Sequence, residues 1–363
     1  MYVGTQLGAA QLEKAGGDRY LRQLAQLGVR HVCIDPPGNP YDWSEEIIAR
    51  HIERVDNAGL VLDMVQLPLP SGGIERGHQA PGIVLGRPGE RDREIDGICR
   101  IIENLSAQGV GAAKYNFNVL GIPRTPSERG RGGAVLSTWR ADQATDADTL
   151  TEAGRVSADE FWERIEYFLE RVVPVATSAK VRLACHPHDP MTPPGYRGFE
   201  KRVLASVEGL MRFVQTCESP YHGLNFCQGT VAEGMENPRA EIEEAIRWFG
   251  TRKKIFNVHF RNIKGGRYSF TEEFPDNGDM DMPAALKVYK EVGYDAMIMP
   301  DHVPHIDGGA PDETAFAFCF GYIIGVFQAN GWDPYGPPST RPGSGTRASA
   351  PAMKDVVPFS DAH

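Results

Sequence analysis

No run of about 18 consecutive apolar residues occurs in the 363-residue sequence, so nothing in it reads as a membrane-spanning helix. The N-terminus lacks the basic region and apolar core of a secretion signal, and a cytoplasmic protein without a membrane partner is expected. Paired cysteines are missing too. The six present, Cys33, Cys99, Cys185, Cys217, Cys227 and Cys319, are scattered without a CxxC, which argues against a disulfide framework or a zinc knuckle and makes most of them buried thiols. Basic charge is in deficit, with 38 Lys and Arg against 48 Asp and Glu. The net charge of −10 speaks against a general polyanion binder, and no nucleic-acid partner is expected. What is present is enough apolar material, 41% of residues, to bury a large core, which rules out a small stapled scaffold and a disordered chain.

Short apolar runs alternate with longer amphipathic segments, the pattern of successive βα units around a parallel sheet. The candidate strands are 2–6, 29–34, 61–66, 112–117, 181–186, 223–227, 255–260 and 297–301. Helices are expected over 18–26, 43–58, 90–108, 157–176, 201–216, 239–249, 282–292 and 312–330. The clearest is 157–176, where Phe161, Ile165, Phe168, Leu169 and Val172 recur on one face. Eight strands each followed by a helix predict an α/β (β/α)8 TIM barrel, with a doubly wound open sheet as the alternative. Long loops, 67–88, 118–155 and 186–200, are expected at the C-terminal rim, where they could form a lid. The single barrel domain spans residues 1–332, and the Pro/Gly/Ser-rich stretch 333–363 reads as a flexible C-terminal tail.

Four consecutive strands each end on a ligand-type side chain: His186, Cys227, His259 and Asp301. A closed barrel places these ends side by side on one rim. Each residue alone is compatible with a satisfied core histidine or a small buried thiol, but their coincidence at consecutive strand ends points to a metal centre. Two imidazoles, a thiolate and a carboxylate suit Mn²⁺, Fe²⁺, Co²⁺, Ni²⁺ or Zn²⁺ rather than the oxygen-seeking Mg²⁺ or Ca²⁺. Further polar groups follow the same strands. His188 and Asp189, Arg261 and Asn262, and His302 and His305 lie just past strand ends. His302, next to a proposed ligand, is the first candidate for proton transfer or, alternatively, a partner that orients Asp301. Lys114, Asn116 and Arg124 are candidates to hold substrate hydroxyls or a carboxylate. The acidic run 276–281 has the wrong spacing for a calcium loop and is expected to open a helix.

These residues resemble the mannonate dehydratase family of xylose-isomerase-like barrels. The resemblance rests on Tyr115-Asn116-Phe117 with Arg124-Thr125, His186-Pro187-His188-Asp189-Pro190, residues 223–229 (GLNFCQG), Val258-His259-Phe260-Arg261-Asn262, residues 278–282 (GDMDM) and Pro300-Asp301-His302. It implies conversion of D-mannonate to 2-keto-3-deoxy-D-gluconate and water, a metal held by His186, Cys227, His259 and Asp301, Mn²⁺ as that metal, and an acid/base role for His302. Arg261 and Asn262 join the expected substrate-binding set. Departures from the family pattern fall at His188, where an Asp is usual, at Met299, where an Arg is usual, and at Pro275, where a His is usual. A catalytic tyrosine past the Pro-Asp-His motif has no counterpart, since no tyrosine lies between Val303 and Gly321. His188 and His305 are the candidates for the base this leaves unassigned, and Met299 suggests an altered substrate-reading shell.

The expected function is therefore metal-dependent dehydration of a sugar acid. The alternative enzyme is a sugar isomerase or epimerase working through a similar enediolate, and a sugar-binding or regulatory barrel with a structural metal is the non-enzymatic reading. The expected partner is a small sugar acid or sugar, and a homodimer is expected because such barrels commonly pair.

Overall fold

In the computed structural model, residues 1–338 are described, and the rest of the expected tail, 339–363, lies outside the described residues. The strands are β1 (Tyr2–Leu7), β2 (His31–Ile34), β3 (Val61–Gln66), β4 (Ala112–Asn116), β5 (Thr125–Arg129), β6 (Val135–Arg140), β7 (Arg182–His186), β8 (His222–Cys227), β9 (Ile255–His259), β10 (Asn262–Gly266), β11 (Ser269–Glu273) and β12 (Met297–Met299). The helices are α1 (Ala9–Lys14), α2 (Asp18–Gln26), α3 (Glu45–Asn57), α4 (Pro81–Leu85), α5 (Glu90–Ala107), α6 (Ala158–Ala179), α7 (Val207–Gln215), α8 (Gln228–Glu233), α9 (Pro238–Thr251), α10 (Met282–Glu291) and α11 (Pro311–Ala329). No helix among the described residues is long and apolar enough to cross a membrane.

Eight strands close in the order β1-β12-β9-β8-β7-β4-β3-β2, with parallel pairing throughout. This is the (β/α)8 barrel that the alternation of strand and helix predicts, and closure excludes the doubly wound open sheet. Each expected strand is present to within about two residues at its ends. Helix α6 shows why the sequence folds locally as it does. The Ser157 hydroxyl accepts from the Glu160 N–H at 3.2 Å, and Glu160 accepts from the Ser157 N–H at 2.7 Å, a reciprocal cap that starts the helix. Its apolar face is buried against the barrel, with Phe168 and Phe161 meeting Phe117 at ring distances of 5.6 and 5.7 Å. Inside the barrel a separate small cluster of Cys33, Met64, Ala112, Ala184, Phe256, Met297 and Met299 fills the floor. Met299 is fully buried there, 3.7 Å from Asn257 Nδ2. It packs as a floor residue, which corrects the expectation that this position marks an altered substrate shell.

A four-stranded antiparallel sheet, β10-β11-β6-β5, lies outside the barrel and was not expected. It forms from the segment after β4 and the segment after β9, read from sequence as a long loop and a strand exit. Trp139 pairs opposite Phe270 and Thr138 opposite Thr271. This pairing joins strands about 130 residues apart, and no local alternation announces it. The rim loops are tied together as well: Asn118 Nδ2 donates to Ser71 O at 3.1 Å, and Arg202 donates to Asn118 Oδ1 at 2.8 Å. At the opposite end, residues 333–338 are docked on the barrel although their composition reads as flexible. Val3 N–H donates to Pro334 O at 2.8 Å, and Arg30 donates to Gly336 O at 3.0 Å. Asp281 caps α10 by accepting from Ala284 N–H at 2.9 Å, so the acidic run does open a helix.

Candidate active site

Strand register brings the four expected ligands together. Cys227 on β8 pairs directly with His259 on β9, and His259 pairs with Met299 on β12, two residues before Asp301. His186 ends β7, on the other side of β8. One ligand atom from each of His186, Cys227, His259 and Asp301 lies within 4.8 Å of every other. All four are buried or nearly so, and Asp301 is 6% exposed in its side chain. The donor set fits a divalent ion on its own chemistry. His186 Nδ1–H donates to Pro187 O at 2.7 Å, which leaves Nε2 with its lone pair free. His259 Nδ1 is buried without a hydrogen bond, 3.3 Å from Asp301 Oδ1. Cys227 Sγ receives both the N–H (3.4 Å) and the hydroxyl (3.1 Å) of Thr230 and lies 3.6 Å from Asp301 Oδ2. Burial pulls the His186 imidazole below its ordinary value and keeps it neutral, as a ligand must be. Burial works to raise Asp301, but His259, His302 and Arg261 outweigh it and hold the carboxylate well below its usual range.

Above this set opens a cavity of about 530 Å³ lined mainly by polar side chains. Lys114 and Asn116 line it, as expected of substrate-binding residues. Lys114 Nζ donates to Gln6 Oε1, whose amide also reaches His259 Nε2 at 3.0 Å and Asp301 Oδ1 at 3.1 Å. Gln6, Asp35 and Gln66 complete the wall at the ends of β1, β2 and β3. Sequence reading passed over these three, although a polar residue ending an apolar strand is the same signal that marked the four candidate donors.

His302 faces the cavity with 36% of its side chain exposed. Its Nδ1 donates to Glu272 Oε2 at 2.9 Å. Burial disfavours its charged form, but Asp301 and Glu272 outweigh that and push its pKa up to about 9. Glu272 belongs to a buried charged cluster that reaches the cavity through Asp189. Arg261, wholly buried, donates to Glu272 at 3.0 Å, Asp189 at 2.9 Å, Glu233 at 2.8 Å and Thr230 at 2.8 Å. Arg124 holds Asp189 Oδ1 at 2.6 Å and also Glu272. These two cations, with His302, overcome burial and bring Glu272 down to about 2. Glu233 goes the other way: burial and the neighbouring Asp189 outweigh Arg261 and raise it well above its ordinary value. Gly229 lets α8 approach this cluster, because a Cβ there would meet Arg261 Nε at 2.3 Å.

Several expected site residues do other work. His188 is 4% exposed; its Nε2–H donates to Phe117 O at 2.7 Å and its Nδ1 accepts from Leu204 N–H at 3.3 Å. With both nitrogens committed it is a framework residue, not a base. His305 is 59% exposed and pairs with Asp312 at 3.3 Å, outside the cavity lining. Arg124 and Arg261 turn their guanidinium groups toward buried carboxylates, and neither lines the cavity. Asn262 pins the 275–280 loop, donating to Pro275 O at 3.0 Å and Met280 O at 3.1 Å and accepting from Met280 N–H. Arg261 and Asn262 therefore build the wall without lining it.

Comparison with known proteins agrees with this geometry. Residues 133–331 match the family model "D-mannonate dehydratase (UxuA)". The mannonate dehydratase of Thermotoga maritima is 31% identical over 85% of this chain and 93% of its own. That of Streptococcus agalactiae is 30% identical over 79% of this chain and 87% of its own. The crystal structure of mannonate dehydratase from Streptococcus suis superposes with a TM-score of 0.74 at 22% identity, covering 92% of this chain and 97% of that one. A D-psicose 3-epimerase from Clostridium cellulolyticum shares the fold with a TM-score of 0.58 at 13% identity, over 90% of this chain and 99% of that one. With these matches beside the four-donor set and its polar cavity, the chain belongs to the D-mannonate dehydratase (UxuA) family.

Proposed function

We propose that this protein dehydrates D-mannonate to 2-keto-3-deoxy-D-gluconate and water with the help of a divalent ion. The observation that carries the reading is the buried His186, Cys227, His259 and Asp301 set at the base of a polar cavity, in a chain whose relatives are named mannonate dehydratases. These four residues would hold the ion, Mn²⁺ in our reading, though the donors also accept Fe²⁺, Co²⁺, Ni²⁺ or Zn²⁺. When bound, it supplies positive charge that polarises the substrate carboxylate and hydroxyl and steadies the charge released as the adjacent proton leaves.

The remaining work falls to the chain itself. His302 carries a proton on the face open to the cavity and delivers it to the departing hydroxyl, while Glu272 holds the ring from behind. Lys114, whose Nζ donates to Gln6, keeps further N–H donors for a carboxylate or hydroxyl of the substrate. Asn116 adds an amide able to donate and accept. The test is to load metal-stripped protein with Mn²⁺, supply D-mannonate with a panel of aldonates and aldoses, and follow 2-keto-3-deoxy product and C2-proton exchange by NMR. Product from D-mannonate that disappears in His259→Ala and Asp301→Ala is expected. Interconversion of a neutral sugar with no turnover of any acid would make the protein an isomerase.

A further inference from the structure

Elimination needs a base as well as an acid, and neither histidine expected from the sequence reaches the cavity. The titratable groups around the cavity can be sorted by what already occupies them. His186, His259 and Asp301 belong to the donor set, and His302 is the acid. Asp189 is neutralised by Arg124 at 2.6 Å and Arg261 at 2.9 Å, so it is a poor proton acceptor. Asp312 is exposed at the mouth and paired with His305. Asp35 is left. It follows directly on β2, its Oδ1 accepts one backbone N–H from Gln66 at 2.7 Å, and it lines the cavity. In the closed strand order β2 lies four places from β8, so Asp35 faces the Cys227 strand end across the barrel mouth with the cavity between them.

Resting on the dehydratase reading above, we propose that Asp35 is the base that takes the C2 proton of the sugar acid. The C2–H bond breaks and its proton passes to the Asp35 carboxylate. The electron pair is first held as the enediolate of the substrate carboxylate, and it then forms the C2=C3 bond as the C3–O bond breaks, with the oxygen leaving as water on the proton from His302. The enol so formed ketonises to the 2-keto-3-deoxy acid, Asp35 returns its proton to solvent, and His302 takes one back from it. Burial supports this role. It raises the Asp35 carboxyl to about 6, against the opposing pull of the Gln66 N–H and the Lys114 charge, a value suited to accepting a proton near neutral pH.

The experiment compares wild type, Asp35→Asn and Asp35→Glu, all loaded with Mn²⁺. It measures kcat and KM with D-mannonate, exchange of the C2 proton in D2O, and Mn²⁺ binding by electron paramagnetic resonance. Asparagine preserves shape and the Gln66 contact, so metal binding and thermal midpoint should match wild type. The expected result is a loss of kcat by about 10²- to 10⁴-fold with KM changed by less than about threefold, loss of C2 exchange, and partial recovery in Asp35→Glu. Exchange that persists in Asp35→Asn, or a raised KM at unchanged kcat, overturns the assignment. A wild-type enzyme that turns over no sugar acid would instead remove the dehydratase reading itself, so the two failures are distinguishable.

Discussion

Replacing Arg261 by methionine tests whether the charged cluster behind the cavity is held together as its geometry says. The guanidinium is fully buried and donates to Glu272, Asp189 and Glu233 at 2.8 to 3.0 Å. Removing one partner of a buried ion pair costs about 3 to 5 kcal/mol, because the remaining charge is left uncompensated in a dry site. Here the loss belongs toward the lower end. Asp189 keeps Arg124 at 2.6 Å, Glu272 keeps Arg124 and His302, and burial raises Glu233 well above its ordinary value, so its charge is the least favoured of the three. About 3 kcal/mol, more than a hundredfold in the folding equilibrium, is the expected loss. Urea unfolding at pH 7, followed by tryptophan fluorescence and far-UV circular dichroism together, reads it out as a lower midpoint. Glu233→Gln is the companion variant. Because burial already disfavours the charge on Glu233, the uncharged amide should stay within about 1 kcal/mol of wild type. An Arg261→Met protein as stable as wild type, or a Glu233→Gln protein destabilised as much as Arg261→Met, would refute the reasoning.

Three further outcomes follow from the same structure. Saturating Mn²⁺ at about one hundred times its dissociation constant should stabilise the metal-stripped protein by about 2.7 kcal/mol, and His259→Ala should abolish that rise in thermal midpoint. Gly229→Ala should lower the thermal midpoint, because the added methyl meets Arg261 Nε at 2.3 Å; an unchanged midpoint would show that α8 can shift away at no cost. Buried His51 and His222 donate to Ile34 O and Phe213 O, and burial lowers each to about 4. The unfolded chain then binds more protons than the folded one between about pH 6.5 and 4, so stability present above this window is lost as pH falls through it. Each should remove about 2 kcal/mol between pH 7 and 5. In His222→Gln the loss over that interval should shrink by about this amount, and an equal loss in both proteins would contradict it.

The sequence by itself determined the barrel and the four-donor set that could hold a metal ion. Eight apolar strands alternating with amphipathic helices have few ways to bury their faces, and closure follows from local periodicity. His186, Cys227, His259 and Asp301 were legible because each ends such a strand, and the barrel's topology brings those ends to one rim whatever the details of packing. The division of labour among the other polar residues was decided by tertiary structure. His188, Arg261 and Asn262 look like site residues from their distance to a strand end, but which way a side chain turns depends on partners far along the chain: Phe117 and Leu204 for His188, Glu233 and Glu272 for Arg261, Pro275 and Met280 for Asn262. The outer four-stranded sheet depends on pairing β6 with β11, a contact with no local pattern to betray it. Met299 is the sharpest case. Its neighbours in sequence are Pro300 and Asp301, yet its neighbours in space are mainly the apolar side chains of the barrel floor, because residues two apart on a strand share the inward face at successive depths and Met299 lies further from the C-terminal rim than Asp301.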